Sequence, residues 1–158
     1  MNCRIIRTAP VIPGAVPTEV VRAFQDRLRP DGEHLIWPGT TTSRSIPYLY
    51  VGVVRYRARH IAWALHRDTP PVGLVKANCG IALCLRGPHL TDDVIRQRER
   101  VQYAALIGVP LTGMCHSGIH ELSEWGYAAA NGSPGCRGCD NVRRLAATRN
   151  AQEGARAA

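Results

Sequence analysis

The chain has 158 residues, a formal charge of +8 and an isoelectric point near 9.7, with arginine far outnumbering lysine. This length suits one domain, or one domain with a small appendage, and a single phenylalanine leaves little to fill a large core. No apolar run is long enough to span a membrane, and the N-terminus is too weakly apolar for a signal peptide, so a cytoplasmic protein is expected.

Basic, arginine-rich chains of this size commonly meet nucleic acid, because neutralising phosphate releases counterions. The competing explanation is that arginine marks a GC-rich genome. In a reducing compartment the six cysteines read as metal ligands before disulfides. Five of them fall into two tight groups. Cys3 stands apart and reads as a bystander.

Residues 1–16 are proline-rich and without periodicity. Pro17-Thr18 opens a helix that Thr18 can cap, with Glu19 in the positive first turn. Val20, Val21, Phe24 and Leu28 share its inner face, and Pro30-Asp31-Gly32 ends it. The stretch from Tyr48 to Tyr56 is rich in aromatic and β-branched residues and predicts a strand or hairpin, with Gly52 at a bulge or tight bend. Arg59 to His66 predicts a short helix with Ile61, Ala62 and Leu65 inward, broken by Asp68-Thr-Pro-Pro. Thr91-Asp-Asp caps a further helix reaching about Ile107. Residues 111–141 form a separate Cys/His-rich unit, followed by an Arg/Ala-rich tail that begins helical.

Cys79, Cys84 and His89 recur at equal steps in a glycine-punctuated loop. Thiolate and imidazole donors at such spacing suit tetrahedral zinc, which needs four. His34 is the best fourth ligand, although ligand counting alone leaves it equally well a surface residue. The second group is Cys115, His120, Cys136 and Cys139, a Cys-x2-Cys knuckle opposite a Cys…His pair, with His116 as the fallback to His120. Trp125 and Tyr127, between the ligand pairs, are expected to pack on the knuckle.

These features together resemble a family. His34 three residues before Trp37, a tyrosine-rich hairpin, Arg59-His60 opening a helix, Leu74-Val75 and then Cys79-x4-Cys84-x4-His89-Leu90 look like the HNH endonucleases, closest to the phage and mobile-element type related to His-Cys box enzymes. The likeness spans roughly residues 33–105. It implies an α+β fold: a small ββα-metal core stapled by structural zinc at His34, Cys79, Cys84 and His89, with a C-terminal zinc ribbon or finger. His34 stands where the family usually has cysteine. The implied organisation is an extension with a helix (1–32), the zinc-bound core (33–108) and a zinc element with a basic tail (109–158).

The same alignment puts Ala77 where the family carries its general base, Lys76 where it carries the metal-holding neighbour, and Arg98 near a later metal-binding asparagine. Alanine neither takes a proton nor binds metal, and cations there oppose a hydrolytic divalent ion. His60 and His66 are the possible replacement bases; Asn78 could ligate but cannot act as a base. The expectation is a catalytically inactive, DNA-binding protein with two zinc ions, touching nucleic acid through Arg55, Arg57, Arg86, Arg98, Arg143 and Arg144. Alternatives are an active metal-dependent endonuclease or nickase, and a phage-encoded module that grips a host protein.

Overall fold

The structure, a computed structural model, describes residues 7–42 and 45–157. Cys3 lies outside the described residues. The chain divides into two compact units, Met1–Asp93 and Val94–Ala158. Both mix helices with short strands, so the fold is α+β.

In the first unit, β1 (Arg7–Thr8) leads to helix α1 (Thr18–Gln25), which buries Val20 and Phe24. Thr18 does not cap this helix. The Pro17 carbonyl already accepts from Val20 and Val21, so the cap falls one residue earlier and carries no side-chain bond. The helix also ends before Pro30. Proline disfavours helical backbone at the residue before it. Arg29–Asp31 instead forms strand β2, paired antiparallel with β3 (His34–Ile36), Asp31 opposite His34. Gly32, at φ +54°, makes the turn between them.

The expected hairpin is present as β4 (Tyr48–Val51) and β5 (Val54–Arg57), with Gly52 at φ +58° in its turn. Strand β1 adds to β5 in parallel, completing a three-stranded sheet in the order β1-β5-β4. Helix α2 (Ala58–Ala64) follows directly and buries Ala58, Ile61, Ala62 and Trp63. Leu65, expected inward, sits at the C-cap and is exposed, while Trp63 turns in and donates its indole N–H to the Thr69 carbonyl at 2.8 Å. Phe24 stacks on Trp37 at 5.9 Å between ring centroids, inside a core that includes Leu49, Val75, Leu85 and Leu90. Strands β6 (Lys76–Ala77) and β7 (Leu90–Thr91) pair antiparallel and close the base of the loop between them.

Helix α3 (Asp93–Leu106) carries the chain into the second unit. Asp92, just before it, is buried and accepts from the Val72 amide at 3.0 Å. In the second unit the short helix α4 (Leu122–Trp125) precedes the antiparallel pair β8 (Gly126–Ala128) and β9 (Pro134–Cys136). Helix α5 (Arg137–Ala157) then begins four residues earlier than the expected start at Asn141, and so includes Cys139. The buried cluster here is small: Ala104, Val109, Leu111, Cys115, Leu122 and Cys136. Two of these six are cysteines of the expected metal group, so the core and the candidate site are one structure.

Candidate metal centres

Strand pairing assembles the first group. The Leu85 amide donates to the Leu35 carbonyl at 2.7 Å, and the Trp37 amide to the Leu83 carbonyl at 3.0 Å. These bonds lay the Cys84 segment along β3 and bring His34 beside it. The β6–β7 pair, extended by Asn78 N–H to the His89 carbonyl at 2.9 Å, returns His89 to the same place. Two arginines tie the loop down: Arg59 donates to the Ala82 carbonyl at 2.7 Å and Arg86 to the Glu33 carbonyl at 2.8 Å.

As a result His34, Cys79, Cys84 and His89 present ligand atoms all within 4.8 Å of one another. Cys84 Sγ lies 3.5 Å from His89 Nδ1. His34 Nδ1 is buried with no hydrogen-bond partner. A buried nitrogen without a partner is costly in a folded protein. An ion at the centre of the group would remove that cost.

The second group forms around a tight knuckle. The Cys115 amide donates to the His120 carbonyl, and the Gly118 amide to the Cys115 carbonyl, both at 2.8 Å. Cys136 ends β9 and Cys139 lies in the first turn of α5, which faces both toward the knuckle. Cys115, His120, Cys136 and Cys139 again bring their ligand atoms within 4.8 Å of one another. His116 is exposed and outside the group; His120 is the histidine that converges. Gly138 makes room for it, because a Cβ there would lie 2.6 Å from His120 Nε2.

The thiols of this group are electrostatically unequal. Cys115 is pushed down to about 5, first by its hydrogen bond with Ser117 and then by the His120 amide, which donates to its sulfur at 3.4 Å. For Cys139 the bond with Ser117 pulls downward, but burial, hydrogen bonds with Cys136 and Cys115 and the Cys115 charge outweigh it and leave the thiol above its ordinary value. The Ser117 hydroxyl stands 3.1 Å from both Cys115 and Cys139 sulfurs. Sequence reasoning overlooked it, although a serine two residues after a ligand cysteine was the available signal.

Around the group, Trp125 packs on His120 at 5.3 Å between rings, and the Tyr127 hydroxyl donates to Asp140 at 2.7 Å. That bond raises the Tyr127 phenol above its ordinary value and fixes the start of α5. Gln97 was also missed. It is buried, donates to the Ser123 and Gly126 carbonyls at 3.1 and 3.0 Å, and accepts from Arg137 at 2.6 Å.

No family model, no curated protein and no solved structure matches the chain. The two groups are compatible with two metal sites on their own geometry.

The remaining expected site residues fall on several elements of each unit. Lys76 is exposed and Ala77 half-buried in β6, and Arg98 is exposed on α3. Arg55 is bound internally: both its Nε and Nη2 donate to the Thr8 hydroxyl, and its guanidinium lies 4.6 Å from the Tyr48 ring centroid. Arg143 pairs with Asp140 at 2.8 Å and Arg144 donates to Asn141 at 2.9 Å. Arg57 is exposed at the end of β5. His66 packs close over Gly87. No helix among the described residues is long and apolar enough to cross a membrane.

Proposed function

We infer that the chain is a zinc-stapled protein that binds DNA through its basic surface, on an HNH-like scaffold that has lost hydrolysis. The observation that carries the zinc reading is metric. Around tetrahedral zinc, with Zn–S about 2.3 Å and Zn–N about 2.0–2.1 Å, two sulfurs stand about 3.8 Å apart and a sulfur and nitrogen about 3.5 Å apart. The corresponding separations here are 3.8 Å for Cys115–Cys139 and 3.5 Å for both Cys84–His89 and Cys139–His120, with Cys115–His120 longer at 3.9 Å. A disulfide would need sulfurs about 2.0 Å apart. Borderline-soft S and N donors, four to a site, favour zinc over calcium or magnesium.

Bound zinc would supply a fold-stabilising cross-link at each site. Four protein ligands leave no open position for water, as structural sites require. His34, Cys79, Cys84 and His89 would tie β3 to the loop above β6 and β7. Cys115, His120, Cys136 and Cys139 would tie the knuckle to the start of α5. The DNA reading rests on the +8 charge. The loss of catalysis rests on Lys76 and Ala77 standing where the HNH resemblance calls for a base and its neighbour.

One gel tests the reading: zinc-loaded protein on supercoiled plasmid with Mg²⁺ or Mn²⁺, and with EDTA as control. A mobility shift without nicking, weakened by rising salt, is the expected result. Metal-dependent nicking overturns the loss of catalysis. Binding that ignores salt overturns the phosphate-contact reading.

A protein partner is the second reading. It is favoured by apolar side chains exposed in the second unit, among them Ile119 at 71%, Met114 at 51% and Trp125 at 39%. A stoichiometric partner retained without DNA would support it.

A further inference from the structure

Away from both Cys/His groups, the first unit contains an open cavity of about 480 Å³. It lies where β1 and the segment after it run beside the end of β5 and the start of α2. Its walls include Thr8, Pro10, Arg57, His60, Pro70 and Pro71. The volume falls within the range of small-ligand sites, about 300–1,000 Å³, which are mostly apolar with a few convergent polar groups.

Three features define what would fit. The first is charge: among the described residues that line it, Arg57 is the arginine and none is a carboxylate. The second is the state of His60. Burial, reinforced by the neighbouring Arg57 charge, holds its imidazole below the ordinary histidine value. At neutral pH it is therefore uncharged, with one N–H donor and one ring-nitrogen acceptor. The third is rigidity. The loop holding Pro70 and Pro71 is fixed before them by the Trp63–Thr69 bond. After them it is fixed by Val72 N–H to Asp92 and by Asp93 N–H to the Val72 carbonyl, both at 3.0 Å. The opposite wall is fixed by the β1–β5 pairing, continued by Ala9 N–H to the Arg55 carbonyl at 2.9 Å. A preformed pocket loses little entropy when it binds.

We propose that this cavity takes one nucleotide unit, with its phosphate on Arg57, a hydrogen bond to His60, and its flat base against the proline wall. The cation selects an anion; the neutral imidazole adds direction without a second charge; the proline faces suit an apolar plane. The proposal deepens the nucleic-acid reading and takes its ligand class from it. The unit is either a free mononucleotide or the terminal nucleotide of a strand, and the two share this chemistry.

The test is an NMR titration of the full zinc-loaded chain, following the His60 imidazole and the amides of residues 8–11. Probes are thymidine 5′-monophosphate, thymidine, inorganic phosphate and a 5′-phosphorylated single-stranded hexanucleotide. The monophosphate should give saturable shifts at these positions, and the nucleoside and phosphate alone should bind more weakly. Arg57→Gln should weaken the monophosphate about tenfold by removing a charge-assisted bond. His60→Gln, which keeps a donor and an acceptor, should weaken it less. Unchanged zinc content and amide dispersion certify both variants as folded. Hexanucleotide binding tighter than the monophosphate assigns the site to strand ends; the reverse order assigns it to free nucleotides.

Absence of saturable shifts, equal binding by Arg57→Gln, or equal binding of inorganic phosphate would overturn the proposal. A duplex gel shift run in parallel keeps the two readings apart. Loss of the shift with nucleotide binding intact sinks the DNA reading alone, and the reverse sinks the pocket alone.

Discussion

The imidazoles of His34 and His89 meet edge to face, 4.9 Å between centroids and inclined at 64°. One heads strand β3; the other ends the loop that β6 and β7 close. Their approach is the point at which the two halves of the first Cys/His group join. Removing either should therefore open the group rather than trim it. Zinc-loaded wild type should contain two metal ions per chain by elemental analysis, and His34→Ala or Cys79→Ser about one. Structural zinc sites in finger peptides bind with about 10–16 kcal/mol, comparable with the whole stability of a small domain, about 5–15 kcal/mol. Chelation should therefore lower and broaden the thermal transition, and an unchanged transition after metal removal would count against both sites.

Gly138 tests the second group from its backbone. An added Cβ would meet His120 Nε2 at 2.6 Å and Cδ2 and Cε1 at 2.7 Å, so the ring must shift from its place in the group. Gly138→Ala should cost about tenfold or more in metal affinity at this site, as second-layer changes around metal ligands do. Competition with a chromophoric chelator would measure it. The first group should keep its metal.

The unequal thiols predict a pH signature. With metal removed, Cys115, pushed down to about 5, is a thiolate at neutral pH, whereas Cys139 is held above its ordinary value and stays protonated. Iodoacetamide should label Cys115 first, and mass spectrometry would show its labelling fall as pH drops toward 5. The linkage follows the same sign. A depressed folded value stabilises the fold fully above the unfolded thiol value, about 8.5, and that contribution declines as pH falls through 5. Ser117→Ala removes the largest cause and should shift the labelling profile upward in pH.

Gln97 should behave as a core residue despite its polarity. Its amide serves two carbonyls, and its oxygen accepts from Arg137 at 2.6 Å and Arg100 at 3.3 Å. Gln97→Met keeps the volume and strands these partners, at a cost of about 1–3 kcal/mol for each buried group left unpaired. Urea denaturation would read this as a lower midpoint. A midpoint within error of wild type would show that water replaces the amide.

Ligand chemistry was legible in the sequence because cysteine and histidine are scarce and their spacing constrains the backbone directly. Both groups converge on the residues that spacing and the HNH resemblance singled out, and geometry separates His120 from His116. The hairpin at Tyr48–Arg57 was legible for a similar reason, since alternation and Gly52 act locally. What stayed hidden depends on partners distant in the chain. Pro30 reads as a helix stop, yet the β2–β3 pairing makes it part of a strand. Gln97 looks like any surface position of a helix until α4, β8 and α5 close over it. Leu65 is exposed because the helix ends at Ala64, and Trp63 is buried with its indole on the Thr69 carbonyl.

The arginines show the same division, and they carry the last prediction. Charge alone grouped Arg55 and Arg86 with Arg57 and Arg98. In the fold, Arg55 is held by Thr8 and Tyr48, and Arg86 by the carbonyl beside His34. A guanidinium already spending its donors on the protein has fewer left for phosphate. Arg86→Gln should therefore loosen the first Cys/His group, seen as faster zinc loss to a chelator, with little change in the salt slope of DNA binding. Arg98 is exposed on α3. Arg98→Gln should leave zinc retention alone and lower the slope of log affinity against log salt by about 0.9, the loss expected for one phosphate contact. Fluorescence anisotropy on one duplex at several salt concentrations measures the slope. Equal slopes in the two variants would mean that charge count, and not the placement of each guanidinium, governs binding.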